Sequence, residues 1–296
     1  MFMPSLKCFT TKEVARLCRV SDATVKRWED AKLLKSERTN GGHRRFRAEE
    51  VARFQRQQNL GLKQSHGDNS VTKINLLRRT ERFSFDSPIF KFLLAGCETE
   101  TANLLIGEYL HKKSPAEIFD TLICPSMREI GELWANSELS VAEEHLATRT
   151  AFNAVHKLRN ALPVPASLGA SAMCCAVESD FHELPTFLAQ VVFENEGWEV
   201  MNFGANTPLG CLTKEILKHQ PNAICISATF IEDFANFSED YKNFIKRIEK
   251  VKTSIIFGGK AFSDLSIRKL FPNAIFVKSF TGLADFSSEF KIVGWF

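Results

Sequence analysis

Hydrophobic positions along this chain change their period from one third to the next. In the first stretch they recur at three and four: Val14, Leu17 and Cys18 share one face of a helix starting after Thr10, and Val25 and Trp28 share one face of a second helix over 23–31. Arg19-Val20-Ser21 is a tight turn between them, Ser21 or Asp22 can cap the second helix, and Leu33-Leu34 closes their core. Two short helices on so short a turn predict a helix-turn-helix. Residues 36–39 and 43–47 flank Asn40-Gly41-Gly42 and predict a two-stranded wing, after which residues 48–54 start a third helix. Residues 63–70, rich in Gly, Ser, His and Asn, read as a linker. From about 71 to 162 the period is helical throughout, with segments 90–94, 101–112, 115–133 and 142–158, and predicts an antiparallel bundle of four to five helices. Beyond residue 171 short apolar runs (171–177, 199–203, 223–227, 254–257, 274–277) alternate with helical patterns (186–196, 209–219, 238–250, 263–270, 282–290). Five such β-α units predict a doubly wound parallel sheet in the flavodoxin-like order.

The expected fold is therefore multidomain: an N-terminal α winged helix-turn-helix over 7–57, a linker over 58–85, a central all-α helical bundle over 86–165, and a C-terminal α/β Rossmann-like domain over 171–296. A chain of 296 residues is long for a single core, which agrees.

Charge adds a function to the first of these domains. The net charge of +3 conceals an asymmetry: residues 1–65 hold 15 Lys and Arg against 7 Asp and Glu, while the remainder holds 23 against 28. A basic end on an acidic body implies a polyanionic partner there, and double-stranded DNA is the one a helix-turn-helix takes. Arg38, His43, Arg44, Arg45 and Arg47 on the wing would bind phosphates, and Thr24, Lys26 and Arg27 on the second helix would reach base edges. One reader of this size covers too little DNA for specificity, so a homo-oligomer, dimer or tetramer, is expected on the operator. The eight cysteines form no C-x-x-C pair, which excludes zinc fingers and leaves small buried hydrophobes. No apolar run reaches the length of a membrane span and residues 1–12 lack a signal-peptide core, so a cytoplasmic chain with no membrane partner is expected.

Chemistry concentrates after residue 130. Glu178-Ser179-Asp180-Phe181-His182-Glu183-Leu184-Pro185 follows the first strand of the α/β half, where open sheets bind ligands. His182 there is a candidate metal ligand, and Asp180 is placed to hold its other ring nitrogen. Ser227-Ala228-Thr229 and Gly258-Gly259 end the third and fourth strands; a hydroxyl and close backbone approach are what a bound polar group needs. In the helical middle one helix ends at Trp134 and the next starts at Ser140, a capping box with Glu143, which puts Glu144 and His145 in a first turn that favours a carboxylate.

Three resemblances tie these features together. The T-x-x-E-V-A-R-L-x-x-V-S opening, the R-W-E-D-A-K-L-L stretch and the R-T-N-G-G-H-R-R-F wing resemble MerR-type readers. The run R-E-I-G-E-L-W followed by V-A-E-E-H is similar to the helical cap of cobalamin-binding modules, which covers the upper face of the corrin. Asp180-x-His182, Ser227-x-Thr229 and Gly258-Gly259 resemble the signature of cobalamin-binding Rossmann-like domains. In that order they resemble the CarH/LitR family of light-responsive repressors. The resemblance implies a non-enzymatic transcription regulator with adenosylcobalamin or methylcobalamin as cofactor. His182 would then bind cobalt from below with Asp180 behind it, while Ser227, Thr229, Gly258 and Gly259 line the tail pocket. Trp134 would lie against the upper axial group with Glu144 and His145 nearby. Two departures stand out: Pro185 replaces the glycine that closes the D-x-H-x-x-G motif, and Ala135 stands where light-responsive members carry a cobalt-binding histidine. They motivate an alternative, a MerR-type regulator whose cobalamin site is degenerate and which acts without the cofactor or through a protein antagonist.

Overall fold

The structure, a computed structural model, describes residues 8–39, 41–58, 60 and 87–292. Most of the expected linker 58–85 and Asn40 of the wing therefore lie outside the described residues. The chain divides into two compact units, Met1–Lys113 with Thr121–Pro163 and Ser114–Asp120 with Val164–Phe296. No described helix is long and apolar enough to cross a membrane.

The first unit opens with β1 (Cys8–Phe9), α1 (Thr11–Cys18) and α2 (Asp22–Asp30), followed by β2 (Glu37–Arg38), β3 (Arg44–Arg47) and α3 (Ala48–Gln57). Thr10 and Glu13 form a reciprocal capping box on α1, and Ser21 caps α2 by accepting from the Thr24 N–H. The strands form an antiparallel sheet in the order β1-β3-β2. The two-residue β1 is too short to show a period and escaped the pattern. Val14, Val25, Leu34, Phe46, Val51 and Phe54 are buried, Leu17 and Trp28 are half-buried, and Leu33 faces solvent.

The same unit continues through α4 (Pro88–Leu94) and α5 (Glu98–Leu110). The chain then passes through α6 (Pro115–Ile118) and a π-helical turn (Phe119–Ile123) before α7 (Cys124–Ala135) and α8 (Val141–Ala161). The single helical pattern expected over 115–133 is thus divided. Pro125 has no N–H to give the carbonyl one turn back, so the ladder widens just before it. Helices α4, α5, α7 and α8 pack on one another, and α3 packs on α5 and α8. The Ser140–Glu143 capping box that starts α8 is present as expected.

The second unit alternates β4 (Ser171–Ala176), α9 (Leu184–Asn195), β5 (Glu199–Gly204), α10 (Leu209–His219), β6 (Ala223–Ser227), α11 (Phe234–Ile248), β7 (Ser254–Gly258), α12 (Leu265–Arg268), β8 (Ala274–Phe276) and α13 (Phe280–Ile292). Its five parallel strands run β5-β4-β6-β7-β8, the 2-1-3-4-5 order expected. Helices α9 and α13 pack together, as do α10 and α11. The segment predicted over 263–270 condenses to the four residues of α12 behind a 3-10 turn, Lys260–Phe262. The abundant phenylalanines fill this core: Phe257, Phe262, Phe271 and Phe276 pack with Tyr241, whose hydroxyl donates to the Pro272 carbonyl at 3.0 Å. Cys174, Cys175 and Cys225 are buried as expected, whereas Cys211 on α10 is exposed.

Asp120 ties the ends of this unit's sequence together. Its Oδ1 accepts the Phe280 N–H at 2.8 Å, and its Oδ2 accepts the Thr281 N–H at 2.8 Å and the Thr281 hydroxyl at 2.9 Å. The carboxylate thereby satisfies the first donors of α13 from 160 residues away. Asp120→Ala is expected to lower the unfolding free energy by about 1–3 kcal/mol, read as a shift of the urea midpoint at unchanged slope.

Candidate cofactor and nucleic-acid surfaces

At the carboxyl end of β4 the chain turns through Ser179, whose φ is 64°, and buries Asp180 to 1% exposure. The Asp180 carboxylate takes three donors: the His182 ring Nδ1 at 2.6 Å, the His182 N–H at 3.0 Å and the Thr229 N–H at 2.5 Å. Burial pushes its pKa up, but the His182 ring and the two backbone donors outweigh that and hold it below the usual carboxylate value. An imidazole held through Nδ1–H presents Nε2 as its metal-binding atom. The His182 side chain is 58% exposed.

The strand ends beside it line up in register, Ala176 with Ser227 and Ser227 with Gly258. That row brings Asp180, His182, Ser227, Thr229, Gly258 and Gly259 to one edge of the sheet. Gly259 has a φ of 108°, and a Cβ there would fall inside the Ala228 carbonyl, so only glycine fits the approach. Pro185 sits in the first turn of α9, where a missing N–H costs no helical bond. The departure at this position therefore leaves the loop intact.

Two features of this edge were not read from the sequence. Phe181, Phe203 and Phe230, at the ends of successive strands, are 75%, 38% and 57% exposed, an apolar rim that could have been noticed as one phenylalanine per strand end. Asn206, in the turn after β5, accepts the Ser179 N–H at 2.9 Å through Oδ1 and donates its own N–H to the Asp180 carbonyl at 2.9 Å. Nothing in its local sequence announces those partners. A separate cleft of about 180 Å³ lies between α10 and α11, lined by Glu178, Leu209, Thr213, Asp240 and Arg247; it contains neither Asp180 nor His182. Among the described residues no group of three or more His, Cys, Asp and Glu could cage a bare metal ion.

In the first unit, Trp134 on the last turn of α7 is 48% exposed and so is no core aromatic. Glu144 accepts the Thr148 hydroxyl at 2.7 Å, and His145 is exposed with its Nε2 3.8 Å from Glu144. On α2, Lys26 and Arg27 face solvent, while the Thr24 hydroxyl is engaged by Ser21 at 3.0 Å and by Arg27 at 3.3 Å. The wing arginines are less available than their spacing suggests. Arg44 pairs with Glu29 at 2.5 Å and with Asp30 at 3.4 Å, Arg38 approaches Glu29 at 3.6 Å, and Arg47 pairs with Glu37 at 2.6 Å. Arg45 donates to the Arg44 carbonyl at 3.0 Å, and His43 is exposed.

Comparison with known proteins finds matches to parts of the chain. Residues 10–46 match the MerR family of regulatory proteins and residues 91–159 match the B12 binding domain. The HTH-type transcriptional repressor CarH of Myxococcus xanthus is 23% identical over 146 residues, covering 49% of this chain and 47% of that protein. Methionine synthase of Mycobacterium tuberculosis is 19% identical over 163 residues, 53% of this chain and 13% of the enzyme. The chain thus spans about half of one curated relative and a small part of the other. Among solved structures, the monomethylamine corrinoid protein of Methanosarcina barkeri shares the fold over 68% of this chain and 96% of its own, with a TM-score of 0.56 at 16% identity. Two separate parts of this chain thus carry matches, residues 10–46 to MerR family regulatory proteins and residues 91–159 to the B12 binding domain, and CarH is similar to about half of the chain.

Proposed function

We propose that this chain is a DNA-binding transcription regulator that senses cobalamin. The observation that carries the reading is the Asp180–His182 pair, an imidazole aimed by a buried carboxylate at the carboxyl end of a parallel sheet. A lone imidazole cannot hold a bare ion that takes four or more ligands, but it suits a metal already held by a macrocycle. When bound, cobalamin would supply such a cobalt ion. His182 would hold the cobalt through Nε2, with Asp180 fixing the tautomer of the ring. Ser227, Thr229, Gly258 and Gly259 receive the tail, and Phe181, Phe203 and Phe230 exclude water from the apolar rim. On the helical side, Trp134, Glu144 and His145 would receive the adenosyl or methyl group of the cofactor. With alanine at 135, His145 would be the candidate histidine for that group.

The N-terminal part acts as a winged helix-turn-helix, with α2 in the major groove and the wing on phosphates. Cofactor binding shifts an equilibrium between oligomers, dimer or tetramer, and so changes operator occupancy. The family resemblance implies repression and a light response, the latter against the Ala135 that replaces the histidine of light-responsive members. The test is gel filtration of purified chain mixed with adenosylcobalamin in the dark: corrinoid absorbance co-eluting with protein is expected, and its absence defeats the reading. Illuminating the complex before a second run tests the light response.

The ion pairs on the wing carry their own prediction. Hydrogen bonds from Ser36 and Arg44 hold the Glu29 carboxyl below its usual value, so the pair is intact above the unfolded carboxylate pKa and is lost only as pH falls through the lower folded one. At neutral pH, Glu29 therefore competes with phosphate for Arg44. Glu29→Gln is expected to tighten DNA binding at low salt and to steepen the slope of log affinity against log salt by about one.

A further inference from the structure

We infer that Asn206 is the positioning residue for the axial imidazole, an inference that rests on the cobalamin reading above. His182 is aimed by the Asp180 carboxylate, and that carboxylate can aim only as well as its own backbone is held. The backbone turns through Ser179 in the left-handed region at φ 64°, a conformation a serine keeps only when its surroundings impose it. Asn206 imposes it from both sides. Its Oδ1 takes the Ser179 N–H at 2.9 Å, and its N–H reaches the Asp180 carbonyl at 2.9 Å. The next residue, Thr207, donates to the Ala176 carbonyl at 3.0 Å, which anchors the clamp to the end of β4. Asn206 is itself left-handed at φ 51°, a conformation that asparagine, aspartate and glycine adopt at little cost. The loop after β5 thus sets the geometry of a ligand carried by the loop after β4 by holding that loop's backbone.

The left-handed conformation makes a clean test possible in the full chain. Asn206→Gly tolerates the left-handed backbone but removes the whole side chain with its Oδ1 acceptor, whereas Asn206→Asp keeps both the backbone conformation and an Oδ1 acceptor. In the cofactor-free chain the Ser179 amide is expected to exchange its hydrogen at least tenfold faster in Asn206→Gly and near the parent rate in Asn206→Asp. After loading with adenosylcobalamin in the dark, the glycine variant is expected to show a mixture of imidazole-ligated and imidazole-free corrinoid spectra, and the aspartate variant the parent spectrum. Unchanged Ser179 exchange in the glycine variant, or faster exchange with a fully imidazole-ligated spectrum, overturns the inference. A parent chain that binds no corrinoid at all instead sinks the cobalamin reading, and this inference with it.

Discussion

A chain carrying His182→Ala is expected to leave a gel-filtration column stripped of the corrinoid that the parent retains. The expectation follows from how the imidazole is held: three donors converge on a carboxylate of 1% exposure, and one of them is the ring itself. Losing only the hydrogen-bonded partner behind a metal-bound histidine typically costs about 10–100-fold in affinity. Asp180→Ala should fall in that range, and His182→Ala should lose at least as much. The two variants also differ in folding. Asp180→Ala strands the Thr229 N–H and the His182 N–H as well as the ring, whereas His182→Ala removes one donor from the carboxylate and leaves both backbone donors paired, so the melting temperature should fall further in Asp180→Ala. Equal corrinoid retention by parent and His182→Ala would remove the lower-ligand assignment.

Gly259→Ala is the second large effect, and it acts through the backbone. The residue has a φ of 108°, and the added Cβ would collide with the Ala228 carbonyl, which is backbone and cannot swing away. Strain of that kind together with the clash costs about 3 kcal/mol or more, which lowers the melting temperature by roughly 10 °C. Its neighbour is the control. At Gly258 the φ is not positive and a Cβ would meet the Val277 Cγ2 at 3.4 Å and the Val277 carbonyl oxygen at 3.9 Å, both ordinary contacts. Gly258→Ala should therefore fold with little loss. Because Ala228 lies between Ser227 and Thr229, any structure that accommodates alanine at 259 must also displace the row beside Asp180. Matching melting curves for the two alanine variants would show that the tight approach at Gly259 is not required.

Much of the fold was legible because its causes are local. The helices over 209–219 and the strand over 223–227 fall where the periodicity put them, and the Thr10–Glu13 and Ser140–Glu143 boxes close over three residues. The Asp180–His182 pair is legible for the same reason, its partners being two residues apart. What escaped depends on distant chain. The division of the predicted 115–133 helix followed from a proline that the hydrophobic period ignores, and Asp120 caps α13 across 160 residues. The sequence assigns the wing arginines to phosphates, but a charge count cannot say which acid sits opposite; Glu29 and Glu37 do.

By itself, then, the sequence determined the β-α alternation, the helical middle, the basic reader and the aspartate–histidine pair, since each is written in residues a few positions apart whose side chains meet through helix or strand geometry alone. Only the tertiary structure decided that Thr229 and Asn206 hold that pair, that Gly259 admits no side chain, and that three phenylalanines rim one edge. Those facts come from parallel strands placing their carboxyl ends side by side, so loops far apart in sequence share one edge where unpaired backbone donors and acceptors find each other.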